Sequence, residues 1–274
     1  MPLPKISIIT PSFNQARFIE ANIQSVLLQQ YPNIEHIIID GGSTDGTIEI
    51  LQKYSHLHWI PEKDNGQSHA LNKGFKMATG DIVGWLNSDD TYCPNIFQII
   101  AEKYDAENVK VIYGDGYEID EDGKVTRPLY SRGVSPEILV KYWKWKYEFI
   151  QPAFFFSREV FNEVGFLDEN LFYTMDYDYF IRLGKHYEIH YLPKPLANYR
   201  LHAGSKTGKN FLKFIPDYIW EMQKVSHRYW GKPYRIIYYG YLFSFIGALF
   251  YSLVKNMFFS PTSKSRNLLK RKIN

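Results

Sequence analysis

The period of the apolar positions changes repeatedly along the first 115 residues. Lys5 to Thr10 is an apolar, β-branched run that stops at Pro11, which predicts a buried strand. Ile19, Ile23, Val26 and Leu27 then fall at i, i+4, i+7 and i+8, one face of a helix closed by Pro32-Asn33. Ile34 to Ile39 reads as a second strand, ended by Asp40-Gly41-Gly42. Ser43 or Thr44 can cap a short helix carrying Ile48, Leu51 and Tyr54. A brief strand at Leu57 to Ile60, a helix with Ala70, Leu71, Gly74, Phe75 and Ala78 on one side, and a strand at Asp81 to Leu86 follow. A helix from Asn95 to Tyr104 and a strand from Val109 to Tyr113 complete the rhythm. Strands alternating with helices of this length predict an α/β fold whose Rossmann-like, mostly parallel sheet is flanked by helices.

After Gly114 the pattern loosens. Tyr117 to Thr126, with Asp122-Gly123 between two short runs, predicts a hairpin and thus a small antiparallel element. Gln151 to Ser157 is a further strand, and Arg158 to Val164 and Tyr177 to Lys185 are helical. From about Phe211 the chain reads as helical, aromatic and basic. The expected organisation is a catalytic domain over 1–210, with halves of about 1–115 and 116–210, and a C-terminal region over 211–274. Ile236 to Val254 carries no charge and nears the length that crosses a bilayer. Arg228, Lys232 and Arg235 flank it on one side; Lys255 and a cluster of Lys264, Arg266, Lys270, Arg271 and Lys272 flank it on the other. Crossing would send one basic flank outward, whereas a helix lying in the interface keeps both near anionic headgroups. Attachment to a membrane surface is therefore expected over spanning, with packing on the catalytic domain as the alternative.

Composition adds limits. Of 274 residues, 45% are hydrophobic and 22% charged, which allows a sizeable core and excludes general disorder. A formal net charge of +3 gives the whole chain no polyanion-binding character, so no nucleic-acid partner is expected. The single cysteine, Cys93, cannot form an internal disulfide and fits a reducing compartment. The apolar run Ile6 to Ile9 is too short for a secretory signal, so the catalytic part is expected in the cytoplasm, peripheral on the inner face of the cell membrane.

Candidate chemistry lies at strand ends, where open α/β sheets bind ligands. The second strand ends at Asp40, the fourth at Asn87, Asp89 and Asp90, and the loop after the third carries Asp64. Each alone has an ordinary reading as a turn or cap residue. Carboxylates gathered on one edge repel unless a cation or donors balance them, and a divalent ion such as Mg²⁺ or Mn²⁺ bound to phosphate would do so. The chain has neither G-x-G-x-x-G after its first strand nor G-x-x-x-x-G-K-[ST], so dinucleotide and P-loop readings lose their support.

Five runs then occur in order: Ser7 to Asn14 (SIITPSFN), Ile39 to Gly46 (IDGGSTDG), Leu86 to Asp90 (LNSDD), Met175 to Leu183 (MDYDYFIRL) and Tyr199 to Ser205 (YRLHAGS). From Lys5 to Ser205 the chain resembles the family 2 inverting glycosyltransferases of GT-A fold, among them bacterial enzymes of cell-surface polysaccharide synthesis. The resemblance implies a nucleotide-sugar donor, a UDP-sugar above all, a carbohydrate or lipid-linked sugar acceptor, and a divalent metal. It assigns Thr10, Pro11 and Asn14 to the base, Asp40 to the pyrimidine ring and Asp64 to the donor pocket. Asn87 faces the ribose or a metal-bound water, Asp89 binds the metal, and His202 joins the metal or diphosphate. Asp176 matches the general base, with Asp178 as its near rival. Two positions depart from the family pattern: Asn87 stands where Asp is commonest, and Leu71 stands where an Arg is frequent, with Lys73 two residues on as a substitute charge.

The implied chemistry is a single displacement at the anomeric carbon. A cation neutralises the leaving diphosphate as a Lewis acid, and a separate carboxylate takes the acceptor proton. Trp143, Trp145 and Tyr147 offer ring faces for an acceptor sugar, or core filling. A catalytically silent nucleotide-sugar-binding or scaffold protein on the same fold is the competing reading.

Overall fold

The computed structural model describes residues 3–140, 150–206 and 211–230. Its spine is a nine-stranded sheet in the order β3-β2-β1-β4-β8-β6-β9-β5, with β7 paired to β6. Strands β1 (Ile6–Ser12), β2 (Ile34–Asp40), β3 (His58–Pro61) and β4 (Ile82–Trp85) are parallel neighbours. β8 (Phe154–Ser157) lies antiparallel between β4 and β6 (Val111–Ile119), so β6 runs in the same direction as the first four. β9 (Ile189–Arg200) runs parallel to β6, while β5 (Thr91–Tyr92) and β7 (Val125–Leu129) are antiparallel to their partners. The sheet is therefore mostly parallel, as expected, and the hairpin is β6–β7.

Period-two alternation sorts the core onto two faces. Ile9, Ile37, Ile39 and Val83 pack with Leu71 and Phe75 of α3 (Gln67–Met77) and with Tyr179 and Phe180 of α7 (Met175–His186). Ile6, Ile8 and Ile82 face Phe97 and Ile100 of α4 (Ile96–Glu107). Ile38 meets Ile19 and Ile23 of α1 (Ile19–Leu27) and Leu51 of α2 (Thr47–Leu51). α3 approaches β1 most closely at Gly74, where an added Cβ would clash with the side chain of Ile9. Two short helices, α5 (Pro136–Val140) and α6 (Val160–Val164), complete the face that α7 covers.

The predicted elements differ from the found ones in instructive places. β9 has no counterpart in the apolar pattern, because Pro193 and Pro195 break it. The strand accommodates them at register shifts opposite Gly114 to Gly116. Ser43 and Thr44 do not cap α2, whose first amide at Thr47 donates instead to Asp45 Oδ1. The expected division near residue 210 does not coincide with a break in packing. α8 (Phe211–Trp230) buries Met222 and Val225 against α7, and Ser226 Oγ donates to Val140 O at 2.6 Å. Among the described residues no helix is long and apolar enough to cross a membrane. The uncharged stretch Ile236 to Val254, the basic tail, and Trp143, Trp145 and Tyr147 lie outside the described residues.

Candidate active site

Parallel strands leave their carboxyl ends on one edge, and the loops there enclose a cleft of about 410 Å³. Its lining comes from Pro11, Ser12, Phe13 and Gln15 after β1, Asp64 with Gly66 and Gln67 at the start of α3, and Trp85 with Asn87 to Asp90 after β4. Ala70, Gln151, Tyr173 to Asp176 (Thr174 aside), Tyr199 and Gly204 to Lys206 complete it.

The turn after β4 is held from behind by Arg200, the last residue of β9. Its Nε donates to Asp89 O at 2.7 Å, its backbone N–H donates to Asp90 Oδ1 at 2.8 Å, and its Nη1 reaches Asp120 O at 2.9 Å. Asp90 is 1% exposed, and burial together with the Asp89 charge pushes its carboxyl well above the usual range. Asp89 lines the cleft, and its Oδ2 lies 3.1 Å from Nε2 of His202, which is not itself among the lining residues.

Asn87 also lies in this turn, but its amide is spoken for. Oδ1 accepts from Gln67 Nε2 at 2.7 Å and Trp85 Nε1 at 2.9 Å; Nδ2 donates to Gln151 Oε1 at 2.8 Å and Asp90 Oδ2 at 3.3 Å. Its side chain braces the cleft floor and leaves little capacity for a ribose or a metal-bound water.

Asp176 sits in the first turn of α7, half-buried at the cleft. Tyr177 N–H donates to its Oδ1 at 2.7 Å, yet burial outweighs this and pushes the carboxyl up to about 6. Asp178 is fully buried instead. It accepts from Arg182 Nε at 2.9 Å, Arg228 Nη1 at 2.9 Å and Tyr229 Oη at 2.8 Å, which fixes it as an internal anchor away from the cleft.

Other residues singled out in the sequence have different surroundings. Thr10 is fully buried with Oγ1 2.9 Å from His36 Nε2 and does not line the cleft. Asn14, at φ 53°, laces two loops together: its N–H donates to Ser43 Oγ at 2.7 Å and its Oδ1 accepts Thr44 N–H at 2.9 Å. Asp40 has 0% exposure, and its carboxylate accepts the amides of Gly42 and Ser43 and the Ser43 hydroxyl. These three build the walls behind the cleft, while Pro11 and Asp64 reach it. Lys73 points away as well, its Nζ 3.0 Å from Glu62 Oε2, and Leu71 is a core residue, so neither replaces an arginine in the cleft. The apolar pattern and the motifs give no role to Gln67, Trp85, Arg200 or Lys206, and Gln151 enters only as a strand residue. Trp85 adjoins the Leu86 to Asp90 run and Arg200 lies inside the Tyr199 to Ser205 run, whereas Gln67 and Gln151 are joined to Asn87 only by folding.

A model of glycosyl transferase family 2 matches residues 7–165. The chain belongs to glycosyl transferase family 2. An uncharacterised glycosyltransferase of Rickettsia conorii is 32% identical over 222 residues, 75% of this chain and 36% of the relative. Escherichia coli chondroitin synthase is 25% identical over 236 residues, 82% of this chain and 32% of the synthase. The chain thus spans about a third of the length of these relatives. S. aureus TarS 1-349 in complex with UDP superimposes with a TM-score of 0.63 at 19% identity, over 81% of this chain and 64% of that one. The mannosyltransferase PcManGT of Pyrobaculum calidifontis, in complex with GDP-Man and Mn²⁺, gives 0.58 at 17% identity, over 80% and 64%. These two likenesses establish the GT-A type of fold. Asp176 and His202 lie beyond the span of the family match.

The glycosyltransferase cleft can be tested for a divalent ion. Among the described residues no three His, Cys, Asp or Glu side chains gather to hold one by themselves. Mg²⁺ and Mn²⁺ at phosphate sites need fewer, since substrate oxygens and waters fill most positions. Asp89 fits that need. His202 fits on a condition: Gly204 N–H donates to its Nδ1 at 3.2 Å, which leaves the ring proton on Nε2 facing Asp89. To ligate through Nε2, the ring must give up the Gly204 contact and move its proton to Nδ1.

Proposed function

We propose that this family 2 glycosyltransferase moves a sugar from a UDP-sugar to an acceptor hydroxyl with inversion, aided by a divalent metal, in the synthesis of a surface polysaccharide or glycolipid. The observation that carries the reading is one cleft lined by carboxylates from different elements, Asp89 on the turn after β4 and Asp176 on α7 among them. Nucleotide complexes of proteins with the same fold support the donor class, and the chondroitin synthase supports polysaccharide synthesis. A bound divalent ion would supply Lewis-acid neutralisation of the diphosphate; Asp89 and, after its tautomer change, His202 would hold it. Asp176 takes the acceptor proton. Its carboxyl, held up near 6, is ionised at neutral pH and still basic enough to accept a proton in the transition state. Pro11, Phe13 and Asp64 bound the donor side of the cleft.

A silent scaffold would be favoured by Asn87, which stands where Asp is commonest in the family pattern. With its amide engaged by four protein groups, that residue serves the turn in an active enzyme as well as in a silent one. Calorimetry of UDP-N-acetylglucosamine with and without Mn²⁺ tests the assignment. Asp89→Ala is expected to remove the Mn²⁺-dependent part of donor affinity without unfolding, and unchanged affinity overturns the metal role. We further propose that Ile236 to Val254 attaches the chain to the cytoplasmic face of a membrane. Co-sedimentation with anionic vesicles is expected for the full chain and lost on removal of residues 235–274.

A further inference from the structure

The turn that leads into α7 is held by another helix. Thr174, at the N-cap position, makes no capping bond with its own side chain. Glu221, midway along α8, binds the backbone just ahead of the helix. Glu221 Oε1 accepts Phe172 N–H at 2.9 Å; Oε2 accepts Tyr173 N–H at 2.7 Å, Thr174 N–H at 3.1 Å and the Thr174 hydroxyl at 3.2 Å. One carboxylate therefore fixes three consecutive amides immediately before Met175 and Asp176. A negative group at this end of a helix is also favoured by the aligned peptide dipoles. α8 is itself anchored to the same body, since Arg228 Nη2 meets Asp168 Oδ2 at 3.0 Å, Arg228 Nη1 meets Asp178, and Met222 and Val225 are buried.

We propose that Glu221 is a positioning residue for Asp176: by clamping the backbone of residues 172–174 it sets the first turn of α7 and the direction in which the Asp176 carboxylate meets the acceptor hydroxyl. This rests on the reading of Asp176 as the general base. The clamp reaches the proton as well as the geometry. Two charged groups face Asp176, Lys206 from the loop after β9 and Glu221 from α8. The first favours the ionised carboxylate and the second opposes it, in addition to the burial that dominates. Removing the Glu221 charge lowers the proton affinity of Asp176, and removing the clamp also loosens its burial.

The test uses the full chain, wild type against Glu221→Gln, Glu221→Ala and Asp176→Asn. Amide hydrogen exchange in peptides covering 172–174 is expected to quicken at least about tenfold in Glu221→Ala, because each freed amide loses its carboxylate acceptor. Glu221→Gln, which keeps one carbonyl oxygen, falls between. Carbon-13 NMR of labelled aspartate carboxyls, with the Asp176 signal identified by its absence in Asp176→Asn, follows the titration. Its midpoint is expected near 6 in wild type, lower in Glu221→Gln and lowest in Glu221→Ala. Turnover, read as UDP released from UDP-N-acetylglucosamine in Mn²⁺, is expected to fall about 10²-fold in Glu221→Ala with donor affinity unchanged, the scale of a misplacement of about 1 Å, and to recover in part in Glu221→Gln. Unchanged exchange and an unchanged Asp176 midpoint in both folded variants overturn the clamp. Normal turnover of Asp176→Asn overturns the base assignment instead, while the exchange and titration results still judge the clamp.

Discussion

Glu35 and Asp176 occupy opposite ends of the same fold and show what surroundings do to one functional group. Glu35 begins β2, at the end of the sheet away from the cleft. Its carboxylate accepts from Lys5 Nζ at 2.7 Å, from the Ser7 hydroxyl, from the Thr79 amide and hydroxyl and from the Gly80 amide. Burial opposes its charge, but these donors win and hold the carboxyl down at about 2. Asp176 is also taken out of water but is bonded by backbone amides, its own and that of Tyr177, and burial wins, at about 6. The fold saturates one carboxylate with donors, away from the cleft, and leaves the other, at the cleft, with few.

The comparison breaks most sharply at Asp176. Asp176→Asn is expected to lower turnover by about 10²–10⁴-fold with donor affinity unchanged, since only the acceptor proton is affected. Wild-type turnover is expected to rise with pH through about 6 and then level, because the base must be ionised. Stability moves the opposite way. The folded carboxyl titrates above its unfolded value, so the protonated form stabilises the fold fully below about pH 4, and that contribution is lost as pH rises through 6. Asp176→Asn is therefore expected to be the more stable protein at pH 7, by on the order of 2 kcal/mol in urea unfolding. Asp178→Asn is the control: it strips charge from a buried cluster with Arg182 and Arg228, so its cost appears in melting temperature, not in donor affinity. A pH–rate profile without an inflection near 6, or full turnover in Asp176→Asn, removes the contrast.

Glu35→Gln is expected to give the mirror image. A carboxyl held at about 2 stabilises the fold above its unfolded value, and this is lost as pH falls from about 4.5 to about 2. At pH 7 the substitution should cost on the order of 3 kcal/mol, the size of the shift in free energy. It should leave transfer kinetics unchanged, because the cluster is remote from the cleft lining. Urea unfolding of both proteins at pH 7 and pH 3 measures it, and a stability gap that does not narrow on acidification excludes the saturated-anchor account.

Of this contrast, the sequence shows the cleft end better than the anchor. The strand-helix alternation up to Tyr113 is written in apolar spacing, and the runs at 86–90 and 175–183 contain Asp89 and Asp176, which the fold brings to one cleft. Motif identity does not report where a side chain points. Asp40 and Asn14 sit in the expected loops, but their polar atoms are consumed by neighbouring amides and hydroxyls. β9 was hidden because Pro193 and Pro195 interrupt its pattern and its pairing with β6 supplies what local propensity withholds. Glu221 was invisible for another reason: its partners lie 47 to 49 positions away. The boundary expected near 210 follows a change in composition, whereas α8 belongs by packing to the body that carries Asp176.

The smallest expected effect falls at the position where this chain departs from its family. Asn87→Asp keeps the acceptor for Gln67 and Trp85 but turns a donor into an acceptor. The new oxygen would face Gln151 Oε1 and Asp90 Oδ2, both of which accept from Asn87 now. Gln151 cannot flip without cost, since its Nε2 donates to Trp85 O at 2.9 Å. Asp90 can relieve half the conflict by carrying a proton, which burial already favours. The net loss should therefore be about 1 kcal/mol, near that of one unsatisfied buried hydrogen bond. Mn²⁺ should offset part of it, because a cation beside Asp89 compensates an added carboxylate. Urea unfolding with and without Mn²⁺ reads both parts. A variant as stable as wild type without metal means that the amide network does not decide residue 87. A loss that Mn²⁺ leaves untouched means that no cation sits within reach of this turn.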